Sequence, residues 1–404
     1  MRLKHVATLR AGGTPDTNRE DFWADGDGIP WVSIGDMSSG QPVRETARQL
    51  SPLGLEDRAL SPSPAGTVLF AMYASVGAVA TLAVDAAWNQ AILGIAPRPG
   101  LADSRFLSYW LRHYGSISIA EARTATQANL NADQVANFPF PDRSLHVQRR
   151  TADFLDDRVA RIDQIITARR TQGSSLDDAA RATLAGRMLA DGGDMPLRHL
   201  VVHERLGLWG AEPGEDELDV RVARVADFER AEFRLGDVPT IRSATAAQIG
   251  ARELRHGDVL LERSGGTNIN PVGCPAFVEH PATNTVSSNF VSRLRPAPGA
   301  DGRYLSLLLG ALYATGQQRP HSNQTTGIQN LDTTSYLHVR IPERGHAVQI
   351  ALAHEVDDAL SRIRAQQRQL RESVALLEEY KQALITAAVT GELDVTTAGS
   401  GIPA

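Results

Sequence analysis

QRRTADFLDDRVARIDQII (residues 148–166) returns as QIALAHEVDDALSRIRAQQ (349–367), and this recurrence decides the architecture. At a constant offset of 201, Asp156-Asp157 falls on Asp357-Asp358, Ile162 on Ile363 and Leu176 on Leu377. The same offset carries Asn129-Leu130 onto Asn330-Leu331 and Pro141 onto Pro342. Further upstream the offset shrinks. GTVLF (66–70) lies over GDVLL (257–261) and Ile34-Gly35-Asp36 over Val225-Ala226-Asp227, both at 191, while LKHV (3–6) resembles LRHL (197–200) at 194. A drifting offset means loop insertions within one shared topology, and the constant stretch from Asn129 onward predicts a rigid junction.

Each repeat reads as a mixed domain of about 150 residues followed by a helix of about 40. In the first helix Leu155, Val159, Ile162, Ile166, Leu176, Ala180 and Leu184 step by threes and fours, apart from a gap at Arg169 and Gly173. In the second, Val356, Leu360, Ile363, Leu370, Val374, Leu377 and Leu384 keep that register, interrupted by Gln367 and Lys381. Two such stripes, each about 60 Å long at 1.5 Å per residue, must bury their seams. The chain returns through a whole domain between them, so they are expected to pair antiparallel. The loop-like TQGSS (171–175) predicts a bend or short break in the first helix.

Ahead of each helix the sequence is strand-like. IPWVSI (29–34), TVLFAMY (67–73) and ATLAV (80–84), then DVRVARV, DVLLER and NFVSRLRP, are rich in β-branched and aromatic residues between Gly, Pro, Asn and Asp. Helical spacing of Phe106, Leu107, Trp110 and Leu111 predicts a helix over 103–114, with LSLLLGALYAT (305–315) as its counterpart. The expected fold class is therefore α+β: two mixed α/β domains separated by two long helices that pair as an antiparallel coiled coil, with a pseudo-twofold internal repeat. The boundaries are 1–145, 146–192, 193–345 and 346–394, with 395–404 a disordered tail.

Composition narrows the function. No stretch of about 18 uncharged apolar residues predicts a membrane span, and MRLKHVATLR lacks the apolar run of a secretory signal. Cys274 is the sole cysteine, which excludes intramolecular disulfides and cysteine-rich zinc sites. A cytoplasmic protein fits. The formal net charge is −6. Residues 1–145 carry 12 basic and 14 acidic groups, and residues 193–345 carry 16 and 18, so neither domain is a cationic reservoir. Nucleic-acid binding would then act through local clusters, with partners supplying further phosphate contacts. Basic chemistry is almost wholly arginine, since Lys4 and Lys381 are the two lysines. Arginine is also the side chain best shaped to grip guanine bidentately.

A family resemblance rests on an ordered set of segments. AGGTPDTNREDFWADGDGIPWVSIGDM (11–37) resembles the opening of a target recognition domain in type I restriction–modification specificity subunits. TVLFAMYASVGAVA (67–80), NQAI (89–92) and TQANLNADQVANFPFP (126–141) follow in that family's order, then the Gln-led helix and LLEEYKQALITAAVTGELDV (376–395). The second repeat departs from the pattern: LGLWGAEPGE (206–215) stands where the first has GGTP, and ERSGGTNIN (262–270) where it has AMYAS. The resemblance implies a non-catalytic DNA sequence-specificity subunit with one half-site per recognition domain. Its helices act as a ruler and dock two methyltransferase subunits. It further implies double-stranded DNA as a partner, restriction and translocase subunits as additional partners, and no cofactor or metal on this chain. S-adenosylmethionine is expected on the methyltransferases.

Candidate DNA readers are polar loop residues for which a core has no use. In the first domain these are Thr14, Asn18 and Arg19, then Tyr73 and Ser75, then Arg123, Thr124, Thr126 and Gln127. In the second they are Trp209, between glycines; Arg263, Ser264, Asn268 and Asn270; and Arg319, His321, Asn323, Gln324 and Thr325, in a polar run that lacks strand or helix periodicity. Arg suits guanine O6/N7, Asn and Gln suit adenine N6/N7, and Thr and Ser suit base edges or phosphate. Asn129, shared with Asn330, cannot explain different specificities and reads as structural. Gly12-Gly13 reads as a turn, and Trp23, Trp31, Trp88 and Trp110 read as core or turn anchors.

Enzymatic motifs are not met. Neither lysine follows a glycine, so there is no P-loop, and Asn270-Pro271-Val272 is not the Asn/Asp-Pro-Pro-aromatic loop of an adenine methyltransferase. Glu379-Tyr380-Lys381 resembles the end of a nuclease motif but lies mid-helix, where a surface ion pair is expected. Two other readings stay open: the recognition subunit of a stand-alone or split methyltransferase system without a translocating subunit, and a coiled-coil protein-interaction scaffold.

Overall fold

The computed structural model describes residues 1–395 other than 38–41, 74, 125–128, 191, 268 and 326–327, with the backbone alone at 116, 118–124 and 325. The chain divides into two compact units, Met1–Arg169 with Ser373–Ala404, and Arg170–Glu372. Each takes one mixed domain, half of the first long helix and half of the second. The tail at 396–404 lies outside the described residues.

In the first unit, Val68–Ala71 sits between Ile92–Pro97 and Val79–Thr81 in an antiparallel sheet edged by Ala7–Ala11. A second four-stranded sheet runs Trp23–Ala24, Arg48–Leu50, Ile29–Val32 and Ala87–Trp88, the last pair parallel. The second unit repeats the central motif. Val259–Glu262 lies between Val291–Pro296 and Pro275–Phe277, with Val201–Leu206 at the edge. A parallel pair recurs as Leu218–Ala223 with Thr285–Ser287.

One helix packs behind each central sheet. Ser104–Thr124 buries Phe106, Leu107, Trp110 and Leu111, as its spacing predicts, but runs ten residues past the expected end at 114. Gly302–Ala314 is buried along nearly its whole length, so its apolar residues cover every face rather than one stripe.

The long helices are Leu145–Met188 and His346–Thr390. Within the first unit, Leu155 and Val159 share a cluster with Ile385, Ala388 and Val389, and Lys381 pairs with Asp163 at 2.7 Å. Within the second, Leu184 and Met188 pack with Leu352, Ala353, Val356 and Leu360. There Gln367 donates to Asp177 at 2.7 Å and Arg187 pairs with Glu355 at 3.2 Å. Partner numbers fall on one helix as they rise on the other, so the pairing is antiparallel. Both polar interruptions of the stripe, Gln367 and Lys381, bond acidic residues of the partner helix. The Glu379-Tyr380-Lys381 segment is thus an ion-paired helix surface.

The break expected at TQGSS does not occur, because the first helix is continuous through it. A single glycine costs about 1 kcal/mol in a helix, less than the buried seam around it supplies at Ile162, Ile166, Leu184 and Met188. The Ser175 hydroxyl also bonds back to the Thr171 carbonyl at 3.1 Å. A Cβ at Gly173 would meet no atom within 4 Å. Gly173→Ala is therefore expected to raise stability by about 0.5–1 kcal/mol. Urea unfolding would show it as a higher midpoint, and a lowered midpoint would contradict a continuous, open helix there.

The rigid junction at offset 201 has a physical basis. Gln148 accepts the Asp103 N–H at 3.0 Å and donates to Leu101 and Arg143 carbonyls. Gln349 likewise accepts the Asp301 N–H at 2.9 Å and donates to the Arg344 carbonyl at 2.7 Å. About two turns on, Asp156 holds Arg105 and the Tyr109 hydroxyl, each at 2.8 Å, while Asp357 holds Arg303 at 2.9 Å and Arg234 at 3.1 Å. In both repeats the helix start is thereby latched to the helix behind the sheet. Among the described residues no helix is long and apolar enough to cross a membrane.

Candidate nucleic-acid interface

Six backbone hydrogen bonds build the same platform at one end of each central sheet. In the first unit Gly12 N–H donates to Ile92 O at 3.3 Å and Gly13 N–H to Trp88 O at 2.9 Å. In the second, Gly207 donates to Val291 O at 3.1 Å and Leu208 to Ser287 O at 2.8 Å. A turn closes from Ile92 N–H to Asn89 O at 3.1 Å, and its counterpart from Val291 N–H to Ser288 O at 3.0 Å. The turn starts are tied by Asn89 N–H to Val32 O and by Ser288 N–H to Ala223 O. The strand end is tied by Met72 N–H to Ala91 O and Leu130 N–H to Met72 O, matched by Arg263 to Phe290 O and Leu331 to Arg263 O. A Cβ on Gly12 would lie 2.1 Å from Asn89 O, and one on Gly207 2.0 Å from Ser287 O. Each position therefore requires glycine, and Gly207 takes the place that Gly12 holds in the first unit.

The side chains on this platform differ. In the first unit the Thr14 hydroxyl donates to the side-chain carbonyl of Gln90, and the Thr14 carbonyl accepts from Arg58 Nε at 3.0 Å. Asn18 is exposed, its N–H bonded to Asp16 at 2.9 Å. Arg19 is held by both oxygens of Asp21 and stacks 4.5 Å over Phe22. That hydrogen bond holds the Asp21 carboxyl below its ordinary range, so a guanine at Arg19 would have to displace Asp21. Tyr73 and Ser75 are exposed. Arg123 and Thr124 end the long helix rather than lying in a loop, and their side chains, like Thr126 and Gln127 entirely, lie outside the described residues. Three tryptophans are anchors. Trp31 donates to Gly13 O at 3.0 Å, and Trp88 and Trp110 are buried.

In the second unit Arg263, Ser264 and Asn323 come together with Leu206, Asn289, Asn330 and Asp332 around an open groove of about 490 Å³. Arg263 is half-buried and, among the described residues, carries no ion pair. The Ser264 hydroxyl donates to the Asn330 side-chain carbonyl. The polar run before Asn330 is not an irregular loop. Arg319–His321 forms a short helical turn, and Ser322–Thr325 a strand paired with Ile328–Leu331, because a polar hairpin exposes one face and leaves no apolar alternation to read. Arg319, Asn323 and Gln324 are exposed, whereas His321 is anchored by Ser335 at 2.6 Å. Thr325 has a described backbone only, and Asn268 lies outside the described residues. Asn270 is exposed, its N–H bonded to Thr267 at 3.0 Å. Trp209 is not among the residues lining the groove; it is 37% exposed, with Arg242 stacked 4.5 Å over its ring.

Gln90 and Asn289 escaped the sequence reading. They stand at offset 199, with Ile92 on Val291, and that pairing was the available signal. Burial pushes the Cys274 thiol up to about 12, away from nucleophilic use. Among the described residues no group of three His, Cys, Asp or Glu is placed to hold a metal.

The family model described as the type I restriction modification DNA specificity domain matches residues 1–172. The chain is similar to the Type I restriction enzyme EcoprrI specificity subunit of Escherichia coli, 26% identical over 167 residues, 39% of this chain and 41% of that protein. It is also similar to the Type I restriction enzyme MjaIX specificity subunit of Methanocaldococcus jannaschii, 26% identical over 110 residues, 27% of this chain and 25% of that one. The matched stretches thus span less than half of either relative. A solved chain, from work on complex assembly and conformational transition of the type I R-M system, shares the fold over 97% of both chains with a TM-score of 0.72 at 17% identity. Residues 1–172 are thus similar to the type I restriction modification DNA specificity domain, and the chain along nearly its whole length shares the fold of a chain solved in work on the type I R-M system.

Proposed function

We propose that the chain is the DNA sequence-specificity subunit of a type I restriction–modification complex, each unit reading one half of a bipartite target in double-stranded DNA. The observation that carries this reading is the duplicated platform: identical backbone bonds in both units, decorated by different side chains. Two readers of different sequences need this combination, because a common backbone sets the approach to the groove while side chains distinguish bases. Arg263, which makes no ion pair among the described residues and lines a groove with Asn323, Asn289 and Asp332, is the strongest guanine reader. The paired helices hold the two readers at a set spacing and present outer faces on which two methyltransferase subunits dock. Catalysis belongs to those partners, which bring S-adenosylmethionine, and restriction subunits add translocation and cleavage where they are present. The net charge of −6 fits a subunit that specifies sequence while partners contribute much of the phosphate contact.

The test is to express the chain with the methyltransferase encoded beside it and to sequence methylated DNA. A bipartite methyladenine motif is expected, lost when this chain is deleted. Exchanging residues 1–145 for those of a relative should change one half-site only. Methylation that persists unchanged without the chain would refute the proposal.

A further inference from the structure

The turns that close the platforms are superposable in their bonding: Asn89-Gln90-Ala91-Ile92 in the first unit and Ser288-Asn289-Phe290-Val291 in the second. Their first residues are tied to the parallel neighbour strand, at 3.0 and 2.8 Å. Their third residues accept from the strand end, Met72 at 2.8 Å and Arg263 at 2.9 Å. Four residues pinned at both ends and in the middle form a rigid mount, and the side chains of the second and third residues are what it presents.

The second residue is a carboxamide in both units, and neither serves the fold. Asn89 performs the turn's own capping, its side chain accepting the Ala91 N–H at 3.0 Å. Asn289 is exposed on the wall of the groove beside Arg263 and, among the described residues, has no hydrogen-bond partner. Gln90 is exposed and, among the described residues, hydrogen-bonds Thr14 alone through its carbonyl, which leaves one lone pair and the NH₂ group without a partner there. The third residue is apolar in both, Ala91 and Phe290, and Phe290 is 46% exposed beside Asn289.

We infer that the dipeptides Gln90-Ala91 and Asn289-Phe290 are equivalent readers of one A·T pair in each half-site. The carboxamide accepts from adenine N6 and donates to N7, and the neighbouring apolar side chain meets the thymine methyl, the two features that an A·T pair shows in the major groove. The inference rests on the DNA-reading function proposed above and adds residues to it. A shared reader predicts that both half-sites contain an A·T pair at corresponding positions, and that their differences arise from Arg263, Thr14 and the other side chains on the platform.

The experiment uses the full chain in complex with its methyltransferase and compares methylated motifs for wild type, Asn289→Ala, Asn289→Asp and Gln90→Ala. Asn289→Ala is expected to relax discrimination at one A·T position of one half-site by roughly 5- to 150-fold, leaving the other half-site intact. Gln90→Ala should do the same in the opposite half-site. Asn289→Asp, an acceptor-only isostere, should shift preference at that position toward cytosine, which offers N4–H; a merely structural residue would not produce that switch. Melting temperatures should stay unchanged, since both side chains are exposed. Equal weakening at every site, or an unaltered motif, would overturn the inference while leaving the specificity function standing. Only a wild-type complex without a bipartite motif would remove the function itself.

Discussion

Asp357→Ala is expected to destabilise the second unit by about 3–5 kcal/mol, whereas Asp156→Ala, at the equivalent repeat position, should cost under about 1 kcal/mol. The two aspartates do the same job in different surroundings. Asp156 and Arg105 are 42% and 46% exposed, so water competes for both. Asp357 and Arg303 are 22% and 9% exposed, and Arg303 also donates to Phe233 and Glu232 carbonyls at 3.0 and 2.9 Å. Removing Asp357 strands the buried Arg303 guanidinium, although Arg234 keeps Glu279 at 2.5 Å; removing Asp156 leaves the exposed Arg105 still paired with Asp153 at 2.8 Å.

Burial opposes ionisation of Asp357, but the hydrogen bond and charge of Arg303, with Arg234, outweigh it and hold the carboxyl below its ordinary range. A depressed carboxylate stabilises the fold above its unfolded pKa, near 4, and that contribution is lost as pH falls through the folded value. The resistance of the wild-type chain to urea should therefore fall below about pH 4, and Asp357→Asn should flatten that acid limb. Equal costs for Asp357→Ala and Asp156→Ala would show that burial does not distinguish the latches.

Gly207→Ala should destabilise by at least about 2 kcal/mol. Its methyl would have to enter space 2.0 Å from Ser287 O and 2.3 Å from Ser288 O, both backbone atoms that cannot rotate away. The Gly207 and Leu208 N–H bonds to Val291 and Ser287 would open, and the platform beside Arg263 with them. Gly12→Ala should behave alike, since Asn89 O and the Trp88 ring stand at 2.1 and 2.4 Å. The measurable signs are a lower urea midpoint and faster amide exchange at Leu208 or Gly13. A midpoint within about 0.5 kcal/mol of wild type would mean that the chain can shift there without loss. The contrast with Gly173→Ala is the useful control, because the same substitution there meets open space.

The architecture was legible because it is written in short-range patterns. Three- and four-residue spacing gave both long helices, and the offset of 201 marked the latched junction before any contact was known. The site was legible only in part. Thr14, Arg263, Ser264 and Asn323 sit on or beside the platforms, and Trp209, one residue beyond the Gly207-Leu208 segment, carries Arg242 over its ring. Gln90 and Asn289 were hidden because a carboxamide before a strand looks like any turn residue. The hairpin at 322–331 was hidden because its alternation is polar on both faces.

The sequence by itself determined the repeat, the helix pair and the pairing of Gln148 with Gln349, since each depends on spacing along the chain, whereas Gly12 and Gly13, expected in a turn, lie in chain without turn geometry. Tertiary structure alone decided which guanidinium is free. Arg19 and Arg263 are both loop arginines by sequence, yet one is ion-paired to Asp21 and the other, on the wall of a groove, makes no ion pair among the described residues. It also decided that Gly207 replaces Gly12 and that one aspartate latch is buried while its twin is exposed. Charge pairing, burial and close approach depend on which distant strand arrives at a given atom, and a pattern of neighbours along the chain does not encode that distance.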